Sequence, residues 1–365
     1  MRLAHYFTLV TIALSGTSAF SQDVRPAFTP QLPTYEKDAK PPPGLTLADL
    51  AGTVVPPDLA LQAQVQASVS QQVASDPEAQ SLGARQVNYH EGCSPAASSF
   101  DWRAKNVISP VKDQRTCGSC YIFASTGALE ASWMIQNTKR INASEQQVLD
   151  CANAGDCQGG FHTRVFAFMK SNGVADGAQV TYRNQSSGQC SIESGPYSAI
   201  NWGMVDRNGA GASIRSIKEN LCLHGPIVAA LYATPEFSSY SGGVFNEFDE
   251  GRGQSDINHD VLIIGWNDAE DAWIIKNSWG TWWGEQGFGK IRYRSNYIGF
   301  GAAWVDAVKL PPATTASANS GASEEKAKAI NERVLNDVLN SGVLGGPNSD
   351  ARKVFDALRR GGIKF

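Results

Sequence analysis

Apolar positions recur with two different periods along this chain, and the change of period divides it. Ile122, Phe123, Leu129, Trp133 and Met134 recur at helical spacing and predict a helix over about 119–139. A second helix should follow Asn142, where Ser144 and Gln147 fit a capping box and Val148 and Leu149 are the first apolar residues. Val165, Phe166, Phe168 and Met169 mark a third, short helix over 162–171. Glycine turns then take over, and the apolar runs shorten to strand length at 227–232, 261–266, 272–276 and 289–293. Helices first and strands later predict an α+β architecture in two lobes, over about 93–310.

The flanks read differently. Arg2, a short apolar run over 6–14 and Thr17-Ser18-Ala19 have the order of an export leader over 1–19. That run is too short to cross a bilayer, and no later stretch is long enough. Residues 20–92 contain Pro41-Pro42-Pro43-Gly44 and Pro56-Pro57 and no cysteine. One helix is predicted there, over 58–74, with Asp58 as its cap and Leu61, Val65, Val69 and Val73 on one narrow stripe. The stripe cannot build a core alone, so this segment is expected to dock on another surface. After Pro311-Pro312 a Thr/Ala/Ser/Gly linker runs over 311–323. The last stretch, 324–365, predicts two amphipathic helices. One carries Ile330, Val334, Leu335, Val338 and Leu339, and the other, over 349–360, carries Val354, Phe355 and Leu358.

Composition narrows the class. The chain has 365 residues, 42% hydrophobic and 18% charged, with a net charge of −4, so neither nucleic acid nor an anionic membrane is an expected partner. Export implies an oxidising destination in which cysteines pair. There are seven, and an odd count leaves one thiol unless it pairs with a second chain. Cys117 and Cys120 form a Cys-x-x-Cys, but no second such pair completes a zinc site, and no metal or organic cofactor is expected.

The candidate chemistry centres on 114–126, Gln-Arg-Thr-Cys-Gly-Ser-Cys-Tyr-Ile-Phe-Ala-Ser-Thr. Cys120 would stand in the first turn of the first helix, where unpaired N–H groups and the helix dipole favour a thiolate. Gln114 could join the Cys120 N–H in holding an oxyanion. Of the five histidines, His259 lies at the entrance to the apolar run 261–266, while His162 and His224 read as surface or packing residues. Asn277 ends the run 272–276, where its amide oxygen could orient an imidazole and Trp279 could cover the bond.

Gln114 with Cys117-Gly118-Ser119-Cys120, Cys157-Gln158-Gly159-Gly160, Asn258-His259, Asn277-Ser278-Trp279-Gly280, and Trp283-Gly284-Glu285 with Gly287 occur in the order and approximate spacing of the papain family of cysteine peptidases. Over about 100–305 the chain resembles that family. Tyr121 stands where the family usually has Trp, Phe300 stands near the place of a late cysteine, and the usual helical prosegment signature is absent from 20–90.

The resemblance implies a two-lobed fold, helical then barrel-like, with the cleft between. It makes Cys120 the nucleophile, His259 its acid/base partner, Asn277 the orienting group and Gln114 part of the oxyanion hole. It also implies a Cys120–His259 ion pair, with the thiol pKa below the ~8.5 of a free cysteine. Gly159, Gly160, Phe161, Ala230, Ile257, Asn258 and Trp279 should line the substrate cleft, with Val305 at the base of its main pocket. Cys117 should pair with Cys157 and Cys151 with Cys190, leaving Cys93 and Cys222 to pair by elimination. The expected protein is a secreted, monomeric endopeptidase acting on proteins or peptides. Residues 20–92 should form a propeptide that lies in the cleft against the direction of substrate and is cut off near 83–88. A transpeptidase or ligase working through the same acyl-enzyme, and a silent peptide-binding relative, are the alternatives.

Overall fold

A computed structural model describes residues 34–75, 89–206, 211–247 and 253–310 and, beyond 332, residues 333, 336–341, 344, 346 and 349–360. The expected leader, the expected cleavage stretch, the linker over 311–323 and Ile330, Val334 and Leu335 lie outside these residues, as do the side chains of Val69, Val73 and Leu358.

The N-terminal flank is ordered by what it touches. Strand β1 (Thr34–Glu36) leads to the single-turn helix α1 (Leu47–Leu50), which Thr46 and Asp49 close with a reciprocal capping box. Pro56-Pro57 stops extended chain just before α2 (Leu59–Ser75). Asp58 contributes to the start of α2 by accepting the side-chain amide of Gln62 at 3.0 Å.

In the helical lobe, strand β2 (Ser99–Asp101) precedes α3 (Cys120–Asn137) and α4 (Glu145–Cys151). The short hairpin β3 (Gly155–Asp156) and β4 (Gly159–Gly160) then leads to α5 (His162–Ser171). Every residue of α3 from Cys120 to Trp133 is buried, so this helix has no solvent face, as expected of a central helix. The expected capping box on α4 is half formed. Ser144 Oγ accepts from Gln147 N–H at 3.0 Å, while the Gln147 side chain turns inward to Ala175 N–H and the Ile192 carbonyl.

The later half supplies β5 (Ala199–Met204), α6 (Ile214–His224), β6 (Ile227–Leu231), α7 (Pro235–Ser238) and β7 (Gly242–Phe245). It continues with β8 (His259–Asn267), β9 (Ala272–Lys276), β10 (Phe288–Arg292) and β11 (Phe300–Ala307). They form one sheet in the order β1-β7-β10-β9-β8-β6-β11-β5, with β2 joined to β8. β8 is the spine: β6 and β9 flank it antiparallel, and α3 packs on it. The four apolar runs of the sequence are β6, β8, β9 and β10. Strands β5 and β11, which the apolar pattern does not mark, are rich in Gly, Ala and polar residues, and that pattern does not mark α6, capped by Ser213, either. β1 adds antiparallel to β7, so the N-terminal flank extends the sheet of the second lobe.

After 310 the chain returns as helix α8 (Asp350–Arg360), and the helix it packs on is α2. Among the described residues no helix is long and apolar enough to cross a membrane.

Three disulfides staple the fold: Cys93–Cys222, Cys117–Cys157 and Cys151–Cys190, which leaves Cys120 as the free, buried thiol. Cys93–Cys222 ties the start of the helical lobe to α6 across 129 residues. Replacing both cysteines by serine should lower unfolding free energy by ~2–5 kcal/mol in denaturant titration. A peptide map of the unreduced wild type should recover Cys93 joined to Cys222.

Candidate active site

Cys120 is the first residue of α3, and its N–H has no partner within the helix. Two contacts hold the turn before it. Cys117 is bonded to Cys157, and Gly118 N–H donates to the Cys157 carbonyl at 2.9 Å. The backbone N–H groups of Tyr121 and Asp260, the latter on β8, favour the charged form of the Cys120 thiol. Tyr121 keeps the aromatic body beneath the turn, with its hydroxyl 3.3 Å from the Asp156 carbonyl.

Gln114 reaches the site by a backbone bond across the lobes, its N–H donating to the Ser278 carbonyl at 2.8 Å. Ser278 Oγ donates to Gln114 Oε1 at 2.7 Å, which turns the Gln114 amide nitrogen into the cleft. Below it, Lys112 bridges Glu130 and Glu145 at 2.8 and 2.6 Å and so joins the Gln114 segment to α3 and α4. Burial works against the Lys112 charge, but Glu145 and Glu130 outweigh it and hold its pKa well above the ordinary lysine range.

His259 opens β8 and Asn277 follows the end of β9. His259 Nε2 lies 2.8 Å from Asn277 Oδ1, which also accepts Ser278 N–H at 2.8 Å and is thereby fixed as the acceptor end of the amide. The Trp279 ring covers the imidazole, with centroids 4.4 Å apart. Cys120, His259, Gln114 and Trp279 have no solvent exposure.

The cover is the chain's own N-terminal flank. Thr53 pairs with Gly160 in parallel, Gly160 N–H donates to the Gly52 carbonyl at 2.9 Å, and Val54 N–H to the Gly160 carbonyl at 2.9 Å. On the other wall, Gly52 and Thr53 N–H groups donate to the Asn258 carbonyl at 2.8 and 2.9 Å. The Leu50 carbonyl accepts from Gln114 Nε2 at 3.1 Å and from Trp279 Nε1 at 3.2 Å. Thr53 Oγ1 stands 3.5 Å from Cys120 Sγ. The approach is so close that a Cβ on Gly52 would sit 1.9 Å from the Gly118 carbonyl oxygen, which only glycine avoids.

This cover reverses the expected electrostatics. Burial, and then the Asp260 charge, push the Cys120 thiol up to about 12, against the bonds from Thr53 and the two N–H groups. Burial also lowers the His259 imidazole to about 4, although Asn277, Asp260 and the Leu50 carbonyl favour its charged form. The covered thiol and the covered imidazole are therefore both neutral, not the ion pair with depressed thiol pKa that the helix start suggests. The helix N-terminus is present, but loss of water outweighs it.

The expected pocket residues Phe161, Ala230 and Ile257 cluster with Phe300, and Leu59 of α2 fills the space between them. Phe300, paired with Ala230 across β11 and β6, completes this cluster; Val305 lies in the main core instead. His162, read as a surface or packing residue, is fully buried with a charged partner. Its Nδ1 is 3.1 Å from Asp260 Oδ2 and its Nε2 is 2.8 Å from the Gly301 carbonyl, which can only accept. Asp260 faces Ala230 in register, so the pair stands behind the pocket wall and beside the thiol. A carboxylate breaking the apolar run just after His259 was the signal for it. His224 stacks on Trp304 at 3.7 Å and bonds Asp306, away from the cleft.

Two outcomes follow from this geometry. A thiol near 12 is under about one part in a thousand ionised at pH 8, so iodoacetamide should label Cys120 of the intact chain slowly until well above pH 10. Gly52→Val should speed labelling at pH 8 at least tenfold by expelling the covering strand; an unchanged rate would contradict that packing. Asp260→Ala leaves His162 Nδ1 buried without its hydrogen-bond partner and should cost ~1–3 kcal/mol in denaturant unfolding.

The sequence pattern of the papain family cysteine proteases matches residues 96–305. Over 236 residues the chain is 34% identical to pro-cathepsin H of Mus musculus, covering 62% of this chain and 69% of that protein. Among solved structures, digestive procathepsin L2 proteinase from Tenebrio molitor larval midgut matches with a TM-score of 0.58 and 27% identity, over 75% of this chain and 84% of the other. Digestive procathepsin L 3 from the same larval midgut matches with a TM-score of 0.53 and 27% identity, over 70% and 94%. A free thiol at the head of the central helix and an imidazole, held by Asn277, at the mouth of the strand it packs on agree with these likenesses: the chain belongs to the papain family of cysteine proteases and is a cysteine-type peptidase.

Proposed function

We propose that this chain is the zymogen of a secreted, monomeric cysteine endopeptidase, with residues 20–92 as its inhibitory propeptide and Cys120, His259, Asn277 and Gln114 as its catalytic groups. Once the cleft is uncovered, water returns to the pair and the His259 ring takes the Cys120 proton. The thiolate attacks a peptide carbonyl and forms a C–S bond. The Gln114 amide and the Cys120 N–H hold the oxyanion. The C–N bond then breaks, and the amine leaves with the proton from His259. Water, giving its proton to His259, attacks the thioester, and the acid product leaves as the thiol reforms. Asn277 keeps the imidazole aligned throughout.

The observation that carries this reading is the parallel run of Leu50–Val54 beside Gly160, bonded to both walls of the cleft. It occupies the donors a substrate needs, with the Leu50 carbonyl on the Gln114 amide. In the family a substrate lies in the opposite direction, so the covering strand presents its amide nitrogens on the wrong side for a proton from His259. The two larval procathepsin structures are themselves pro-forms.

The pocket filled by Leu59 is the proposed site for the second side chain before the cut. Its lining of Phe161, Ala230, Ile257 and Phe300 favours hydrophobic side chains, each methylene being worth ~1–3 kcal/mol. The uncut chain should be inactive on peptide substrates, and protein lacking residues up to about 92 should cleave after sequences with Leu, Val or Phe at that position. Cys120→Ala should abolish this hydrolysis. Cleavage-site sequencing dominated by acidic or basic residues there would contradict the pocket assignment, and full activity of the uncut chain would contradict the zymogen.

A further inference from the structure

Helix α2 has two working sides. One faces the catalytic lobes: Leu59 fills the pocket, Gln62 Oε1 accepts from Thr163 Oγ1 at 3.3 Å, and Gln66 Oε1 accepts Met204 N–H at 3.1 Å. The other side carries Leu61 and Val65, half of the stripe seen in the sequence. Among the described residues these two side chains are not members of the main core cluster. They form a separate cluster with Val338, Leu339, Leu344, Val354 and Phe355, all from the C-terminal extension. Val65 and Phe355 come from opposite ends of the chain, yet they are 1% and 0% exposed.

The extension is built to present this face. Ser349 Oγ accepts Arg352 N–H at 3.2 Å at the start of α8, and Lys353 and Arg352 pair with Asp350 and Asp356 on the helix's polar side. The end of the peptidase lobe is itself anchored, with Leu310 N–H donating to Asn137 Oδ1 at 2.7 Å. The extension is thus fixed to the catalytic domain through the chain and to the covering segment through its apolar face.

We propose that the C-terminal extension is the second half of the inhibitory module, a clasp that holds α2 and, through it, the covering strand in the cleft. This rests on the reading of residues 20–92 as an inhibitory propeptide. Most of a helix's stability in a folded chain comes from the faces it packs, and α2 packs on both surfaces. Contacts made only in the covered state shift the equilibrium toward it by their full amount. The tether has a further consequence. A cut near 83–88 severs the covalent link on one side of α2, but the extension still presents its apolar face at high effective concentration. The clipped segment should therefore stay bound until the clasp is also removed or opened.

The test uses the full-length chain with Phe355→Asp, and separately Leu61→Asp on the facing helix. Neither residue belongs to the main core or to the proposed catalytic groups. The readout is the rate of Cys120 labelling by iodoacetamide at pH 7.5. A peptide map of the three disulfides and an unchanged main unfolding transition serve as checks that the lobes remain folded. Each substitution should raise the labelling rate at least tenfold. In wild type clipped in trans near 83–88, the N-terminal fragment should co-elute with the rest of the chain on size exclusion, and in clipped Phe355→Asp it should separate. Labelling within twofold of wild type in both variants overturns the clasp, while Gly52→Val labelling rapidly in the same experiment leaves the cover standing. Wild-type labelling as fast as in urea overturns both.

Discussion

The structure depends on one seam, where the central helix lies against the first residues of the central strand. Cys120 is brought to the mouth of β8, the strand that His259 opens, because every residue of α3 through Trp133 is buried and β8 is the strand it packs on. The Asp260 backbone lies near enough to the thiol to favour its charged form. Nothing in this arrangement needs a flexible side chain to find its place. The disulfide from Cys117 to Cys157 holds the turn in front of α3, and Asn277 and Trp279 lock the imidazole from behind. The buried bridge from Lys112 to Glu130 and Glu145 keeps the Gln114 segment in step with the same helix.

A seam so well packed is chemically quiet while it is dry. Charge separation between a thiol and an imidazole requires a medium that stabilises both ions, and the cleft loses that medium when Leu50–Val54 lies in it. The covering strand thus acts twice. It occupies the Gln114 and Trp279 donors with the Leu50 carbonyl, and it removes the water that would let the pair ionise. Both effects need backbone-to-backbone contact, which is why Gly52 meets Gly118 with no room for a side chain on either.

The flanks make sense only as partners of one another. β1 extends the sheet of the barrel lobe, α1 and the following strand fill the cleft, and α2 spans from the pocket to the C-terminal extension. The two ends of the chain, which look like separate accessories in sequence, share one small apolar cluster. A stripe too narrow to build a core becomes stable by lying between two surfaces that are themselves parts of the same molecule.

The sequence by itself determined what is local or carried by residue type. The period of the apolar positions located α2, α3, α4 and α5 and strands β6, β8, β9 and β10 to within a few residues, because both periods are set by neighbours along the chain. Cys120, His259, Asn277 and Gln114 were legible as candidates because Cys and His are scarce types here and because Cys120, His259 and Asn277 stand at element ends. What the tertiary structure alone decided involves residues far apart in sequence. Phe300 and not Val305 joins Phe161, Ala230 and Ile257, since the register of β11 on β6 is a pairing choice invisible to periodicity. His162 found a buried carboxylate 98 residues away, and Leu61 and Val65 found their partners almost at the other terminus. The protonation state of the pair also reversed, because desolvation is a property of the space around a group. That space was filled by a strand whose place in the cleft follows from three-dimensional packing.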